Sequence, residues 1–186
     1  GPSEEAFFGK VLSSQNLFYE ADGIYILQVG GFGFKPYLSI LQQLKISCFV
    51  KTDNDLRKAK GCIDYSVIGF TRVNGIIGKK YLPDDRIANN SVCDKQALYD
   101  KNRTILDNIR EEYHVYLSRV SLEEDLDEAI HKEMVDYLPD ANGDVVSSLK
   151  DAKKYNMVEL VEKLTDDDCK KIMEHYNFKC LEDILK

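Results

Sequence analysis

The 186-residue sequence lacks the features that mark several large protein classes. No apolar run approaches the ~20 residues that span a bilayer. No segment has the charged-then-apolar layout of a signal peptide. The five cysteines are far apart and form no CxxC pair, which argues against a disulfide framework or a zinc site. We therefore expect a protein of the reducing cytoplasm that has no membrane partner.

Nucleotide-binding motifs are also missing. The segment Gly30-Gly31-Phe32-Gly33 follows a predicted strand at residues 24–29, but it has neither the GxGxxG spacing nor the lysine-hydroxyl pair of a Walker loop. We interpret it as a tight turn between a strand and a helix. An ATP-binding domain is therefore not expected within this chain.

Positive charge is in deficit. The sequence has 25 Lys and Arg against 32 Asp and Glu, a formal net charge of -7. A protein that holds a polyanion by itself usually shows a basic stripe, so this balance argues against strong autonomous binding of nucleic acid. Divalent cations bound to carboxylates would invert the local sign of the charge. The short basic cluster at residues 57–60 is more often a solvated loop.

The most informative stretch is residues 46–55, an apolar run that stops on Asp53 and Asp55. Such a run predicts a buried strand of a parallel sheet. The two carboxylates would lie at its carboxyl end, where open α/β sheets bind ligands. Carboxylates two residues apart can converge on one hard cation. The alternative is a solvated turn, because Asp and Asn favour turns.

A second candidate core strand, at residues 114–118, precedes the densest acidic cluster of the chain, at residues 121–128. Ser121 and Glu124 fit a capping box, which predicts the start of a helix. Because the cluster follows a strand, its acids are also expected to reach the same sheet edge as Asp53. Residues 145–186 are predicted to be helical, with Thr165 and Asp168 forming another capping box. The alternation predicts an α/β fold, a mainly parallel sheet flanked by helices, with a helical C-terminal part.

Five motifs in order resemble the Toprim domain of the OLD (overcoming lysogenization defect) family of ATP-dependent endonucleases: Ser3-Glu4-Glu5, Val29-Gly30-Gly31, Lys51 to Leu56, Leu122 to Leu126, and Lys153 ahead of Tyr155 to Leu160. Within the family the likeness is greatest to the nuclease subunit of the Gabija anti-phage defence system, and it covers nearly the whole chain. The resemblance implies a Toprim-like (Rossmann-like) catalytic core at residues 1–138, lacking the family's first strand. Residues 139–186 would be a helical extension that completes the Toprim region.

The resemblance also implies roles for individual residues. It matches Glu4 to the second acid of a Glu-Gly-x-x-Glu element and Asp53 and Asp55 to an Asp-x-Asp pair. Asp125, with Glu123 nearby, matches a later acidic ligand, and Lys153 matches the catalytic lysine. Two Mg²⁺ (or Mn²⁺) ions would hydrolyse a phosphodiester bond, and the lysine would offset charge on the scissile phosphate.

The implied partners are double-stranded DNA, an upstream ATPase domain, further copies of the protein and a helicase-like partner subunit, all in the bacterial cytoplasm. The family's first glutamate would precede Gly1, so we expect this chain alone to cleave DNA weakly or not at all. In the intact protein Lys153→Ala should abolish most cleavage, while Lys150→Ala should be nearly silent.

Two other functions stay open from the sequence. One is a non-catalytic Toprim-like module for assembly or partner binding, favoured by the missing glutamate and the negative charge. The other is a phosphatase of the haloacid dehalogenase type, in which Asp-x-Asp also ends a strand. Arg57 stands where that family has a threonine, which counts against the phosphatase.

Overall fold

The computed structural model describes residues 2–29, 33–138, 143–151 and 153–186, without the side chains of residues 153 and 154. The chain forms two compact units. The first unit joins Gly1–Gly30 to Glu123–Lys186, and the second unit is Gly31–Leu122. The predicted boundary between residues 138 and 139 borders a segment outside the described residues, so it stays a prediction.

The described elements follow one another along the chain as α1 (Pro2–Gln15), α2 (Phe34–Gln43), β1 (Val50–Thr52), β2 (Leu56–Lys58), β3 (Tyr65–Val67), α3 (Ile68–Ile77), β4 (Arg86–Ile87), α4 (Val92–Lys101), α5 (Arg103–Tyr113), β5 (Val115–Leu117), α6 (Leu122–Tyr137), α7 (Val145–Asp151), α8 (Lys153–Lys163), α9 (Asp166–Glu174), a 3₁₀ turn (Tyr176–Phe178) and α10 (Lys179–Ile184). No described helix is both long enough and apolar enough to cross a membrane.

A parallel pair of strands lies at the centre of the second unit. β1 pairs with β5 in parallel, with Val50 opposite Val115 and Thr52 opposite Leu117. All three residues of β5 are buried, as expected of a parallel strand covered on both faces. Helices α3 and α5 pack against β5. The predicted α/β class, with a parallel sheet flanked by helices, is confirmed.

The second unit also contains a small antiparallel sheet that the sequence did not predict. Its strand order is β2-β3-β4. The helix that follows β3, α3, begins at Ile68. These strands are two or three residues long, so they are too short to show an alternating pattern that distinguishes a strand from a loop.

The first unit is helical apart from its connections. α1 packs against α8 and α9, and Phe7 meets Phe178 edge to face with 5.7 Å between ring centroids. The predicted helical C-terminal part is confirmed, including the capping box at the start of α9, in which the side chains of Thr165 and Asp168 bond each other's backbone N–H groups. The strand predicted at residues 24–29 is wrong, because no described segment pairs with it and Tyr25 is 73% exposed.

Candidate active site

The turn Asp53-Asn54-Asp55 comes directly after β1, so both carboxylates follow the carboxyl end of a parallel strand as predicted. Asp53 is held from a distant part of the chain. Its Oδ1 accepts a hydrogen bond of 3.1 Å from the backbone N–H of Leu122, the first residue of α6. The first N–H groups of a helix have no partner within the helix, so the Asp53 carboxylate satisfies one of them.

Arg72 of α3 binds three oxygens of the same turn. Its Nη2 donates to Oδ2 of Asp55 at 2.5 Å, and its Nη1 donates to Oγ1 of Thr52 at 2.5 Å and to the Asp53 carbonyl at 3.2 Å. The Arg72 side chain is only 9% exposed, whereas the Asp55 side chain is 47% exposed. A buried, permanently charged guanidinium therefore fixes a carboxylate that solvent still reaches. No sequence motif reveals Arg72, since it lies 17 positions from Asp55 on a different element.

Asn54, between the two acids, is completely buried. Its backbone N–H donates to the carbonyl of Val120 at 3.0 Å, and its amide Nδ2 donates to the carbonyl of Arg119 at 3.3 Å. The Asn54 Oδ1 has no hydrogen-bond donor among the described residues. These bonds tie the Asp-x-Asp turn to the segment that follows β5.

Gly69 allows α3 to approach this turn closely. Its N–H donates to the carbonyl of Asp55 at 3.0 Å. A Cβ atom added at Gly69 would lie 2.8 Å from both Cα and Oδ1 of Asn54 and 3.1 Å from the Asp53 carbonyl. Only glycine fits against the turn at this position, because two of these three contacts involve backbone atoms that cannot move aside cheaply.

The remaining acidic candidates belong to the first unit. Glu4 lies in the first turn of α1, where it accepts a hydrogen bond of 3.3 Å from Ser3 Oγ. Glu123 and Asp125 lie in the first turn of α6 and are buried, Asp125 completely. Residues two apart on a helix do not face the same side. The Cα–Cβ bonds of Glu123 and Asp125 therefore leave the helix in different directions.

Lys150 has a role that the sequence did not reveal. Its ammonium forms an ion pair with the carboxylate of Glu124, whose side chain is only 9% exposed. Removing Lys150, which is itself 44% exposed, would take this cation from a mostly buried carboxylate, so Lys150 is a poor choice for a silent control. Lys153 begins α8, and its side chain lies outside the described part of the structure.

The predicted site residues thus divide between the units. Asp53 and Asp55 belong to the second unit, and the first unit carries the others: Glu4, Glu123, Asp125 and Lys153. Across the described ranges, no group of three or more His, Cys, Asp or Glu side chains is arranged to hold a metal ion. The convergence of all five acids on one site therefore stays a prediction.

Comparison with known proteins identifies what this chain is similar to. The family model described as "Overcoming lysogenization defect protein-like, TOPRIM domain" matches residues 1–55, a range that contains Glu4, Asp53 and Asp55. The chain is also 34% identical over 199 residues to "Endonuclease GajA" of Bacillus cereus (strain VD045). The chain carries an OLD-family Toprim domain. The resemblance read from the sequence is confirmed.

That alignment covers 100% of this chain and 34% of the endonuclease, so the chain spans about a third of the length of this curated relative. The OLD-family candidates beyond Asp55, namely Glu123, Asp125 and Lys153, lie outside the range matched by the family model and inside the range aligned with the endonuclease. Their assignment rests on the sequence motifs that surround them.

Proposed function

We propose that this chain is the nuclease domain of an OLD-family, Gabija-type anti-phage defence protein, a DNA endonuclease that hydrolyses phosphodiester bonds with two divalent metal ions. The observation that carries the proposal is the Asp-x-Asp turn after β1, where Arg72 and the N–H of Leu122 fix Asp55 and Asp53. The similarity to an endonuclease over the whole chain supports it.

The donor chemistry of this turn fits Mg²⁺ or Mn²⁺. Both ions prefer carboxylate oxygens, which Asp53 and Asp55 supply. A carboxylate has about four lone-pair sites, so a carboxylate that accepts a hydrogen bond can still bind metal. Glu4, Glu123 and Asp125 would complete the ligand set. When bound, the ions would activate water and stabilise the leaving oxygen.

The chain's own residues supply order and charge around these acids. Arg72 keeps the Asp55 carboxylate in one orientation, and this orientation matters because catalysis depends on reacting groups that are positioned before the substrate arrives. Lys153 would place an ammonium near the scissile phosphate and offset its negative charge. A permanent cation at Arg72 also reduces the repulsion between two neighbouring carboxylates.

The other parts of the proposal concern the whole protein. The curated relative is about three times as long as this chain, and an ATPase domain upstream would account for part of the difference. Further copies, a helicase-like subunit and a location in the bacterial cytoplasm belong to the same proposal. A domain that supplies a third of such a protein should cleave DNA weakly or not at all when it is assayed alone.

The first test is the substitution Lys153→Ala in the intact protein. We expect Mg²⁺-dependent cleavage of duplex DNA to slow by about 100-fold or more, as when one charge-stabilising group is removed from an active site. The free energy of unfolding should change by no more than about 0.5 kcal/mol, the usual range for surface substitutions. Cleavage rates and chemical denaturation of the same preparations give both values.

The matched control is Lys170→Ala, which removes an exposed lysine of the same unit that lies 4.0 Å from Glu174. It should leave cleavage unchanged. Equal cleavage by the two variants would remove Lys153 from the mechanism. Absence of metal-dependent cleavage by the intact wild-type protein would instead favour a non-catalytic Toprim-like module for assembly or partner binding.

A further inference from the structure

The net charge of the chain conceals a strong separation of charge between the units. The second unit, Gly31–Leu122, contains 15 Lys and Arg against 10 Asp and Glu, a formal net charge of +5. The rest of the chain contains 10 Lys and Arg against 22 Asp and Glu, a net charge of -12. A basic unit inside an acidic chain is typical of a surface that binds a polyanion.

Part of this positive charge is ordered on the sheet β2-β3-β4. Arg57 pairs with Ser66 across β2 and β3, and Ser66 pairs with Arg86 across β3 and β4. Residues directly opposite each other on neighbouring strands share one face of a sheet. Arg57, Ser66 and Arg86, hereafter the basic row, therefore cross the sheet on one face. At ordinary strand spacing the two arginine Cα atoms are about 10 Å apart.

The basic row is on the solvent side of the sheet. Arg57 and Arg86 are exposed, whereas Val67, which lies on the opposite face, is buried. Arg86 lies 3.9 Å from Asp64, but both side chains are about half exposed, and such a pair contributes little in water. The basic row can therefore exchange this contact for a phosphate at small cost.

We propose that the basic row binds the sugar-phosphate backbone of duplex DNA and holds it beside the Asp-x-Asp turn. Arg57 follows Asp55 by only two residues, so their Cα atoms are at most about 7 Å apart. Arginine suits this task, because its planar guanidinium donates two parallel hydrogen bonds to a phosphate. The choice of DNA as the polyanion rests on the proposed function.

Basic residues on the outer strands have an alternative role. β2 and β4 are the two edge strands of this sheet, and cations on an edge discourage pairing with another sheet. A cation on either face of each edge strand would fill that role, so it does not require Arg57 and Arg86 to lie on the same face. The two roles predict different behaviour when the arginines are removed.

The test compares the intact wild-type protein with the double variant Arg57→Gln/Arg86→Gln. Equilibrium binding to a labelled duplex DNA is measured in EDTA over a series of NaCl concentrations. We expect the double variant to bind at least tenfold more weakly near 0.1 M salt. The slope of log K against log salt concentration should become shallower by about 2, because each phosphate contact contributes roughly 0.9 to it.

Two further variants make the result specific. Lys45→Gln/Lys95→Gln removes the same charge from positions of the same unit outside the strands. If the basic row is the binding surface, this variant should bind within about twofold of wild type with an unchanged slope. Arg57→Lys/Arg86→Lys keeps the charge and should restore most of the slope.

Equal binding by the Arg→Gln double variant and the lysine control overturns the proposal. If the Arg→Gln variant aggregates while its soluble fraction binds DNA as tightly as wild type, the proposed DNA-binding role is overturned in favour of the edge-protection role.

Binding in EDTA requires neither metal nor cleavage, so this experiment is independent of the nuclease assay. If wild type binds DNA through the basic row but never cleaves it with Mg²⁺, the nuclease proposal fails while the binding surface stands. If wild type cleaves DNA and the Arg→Gln variant binds as wild type does, the surface fails while the nuclease stands.

Discussion

At the scale of single residues, Arg72 organises the candidate site. Its guanidinium joins three oxygens of the Asp-x-Asp turn, and its position on α3 makes that helix part of the site. Partners of this kind do not touch the substrate. They fix the orientation of the residues that do, and their loss typically lowers metal affinity or activity by about 10- to 100-fold.

The substitution Arg72→Lys tests this positioning role in the intact protein. Lysine keeps the charge, but its single ammonium cannot reach Thr52, the Asp53 carbonyl and Asp55 at once in the geometry of a guanidinium. We expect cleavage at limiting Mg²⁺ to fall about 10- to 100-fold, with partial recovery at high Mg²⁺. The measurement is the cleavage rate as a function of Mg²⁺ concentration.

Arg119→Lys is the control for this substitution. The side chain of Arg119 binds the surface carboxylate of Asp100, and both side chains are about a third to a half exposed. The same chemical change should therefore leave the Mg²⁺ dependence unaltered. A Mg²⁺ dependence of the Arg72→Lys variant that matches this control would show that the guanidinium is not needed to position Asp55.

The two kinds of site residue differ in how far they can be predicted from sequence. Asp53 and Asp55 were predictable, because an apolar run that ends on two acids is a local pattern. Arg72 and Gly69 were not, because their contacts with the turn join residues 14 to 19 positions apart across two elements. Arginine is common in helices, and a glycine in a helix does not identify the segment that it contacts, so no local signal links either residue to the turn.

At the scale of secondary structure, prediction succeeded where the determinants lie within one element. The capping box of α9 needs only Thr165 and Asp168, three residues apart, and it was predicted and observed. α2 contains several apolar residues, yet none of its residues is buried and Ile40 is 58% exposed. Periodicity predicts that a helix is amphipathic, but it does not identify the surface that the helix meets.

The close packing of α3 on the Asp-x-Asp turn leads to a prediction about Gly69. In the Gly69→Ala variant the new Cβ would lie 2.8 Å from Cα of Asn54, so the turn or the helix must shift. We expect a loss of about 1–3 kcal/mol in the free energy of unfolding, typical of an overpacked interior, together with weaker metal-dependent cleavage. Urea denaturation and cleavage assays measure the two effects.

Gly75→Ala is a matched control on the same helix. Nothing lies within 4 Å of a Cβ at Gly75, so this substitution should stabilise the helix by about 0.5–1 kcal/mol. Cleavage should be unaffected by the control. If both alanine variants were stabilised alike, the close approach of Gly69 to the turn would not be a constraint on the fold.

At the scale of the whole molecule, the net charge describes neither unit. A value of -7 argues against nucleic-acid binding, but the basic residues exceed the acidic ones within Gly31–Leu122. The first unit is assembled from both ends of the chain, so along the sequence the basic unit lies between two acidic segments. A charge summed over the whole sequence cannot reveal this separation, because it depends on which segments fold together.

The last prediction concerns the proposed metal ligands, some of which belong to each unit. A ligand that binds only the folded state stabilises it, by about 2.7 kcal/mol when its concentration is 100 times Kd. If Asp55 and Asp125 bind the same metal ions, Mg²⁺ should raise the melting temperature of the intact protein, and either Asp55→Asn or Asp125→Asn should reduce this increase strongly. Each variant is compared with its own melting temperature in EDTA, so a loss of basal stability does not affect the comparison.

Asp127→Asn is the control for Asp125→Asn. It removes an acid of the same helix that is bound to His131 at 2.6 Å, and it should keep the full Mg²⁺-dependent increase in melting temperature. An undiminished Mg²⁺ effect in Asp125→Asn, alongside its loss in Asp55→Asn, would restrict the metal site to the second unit.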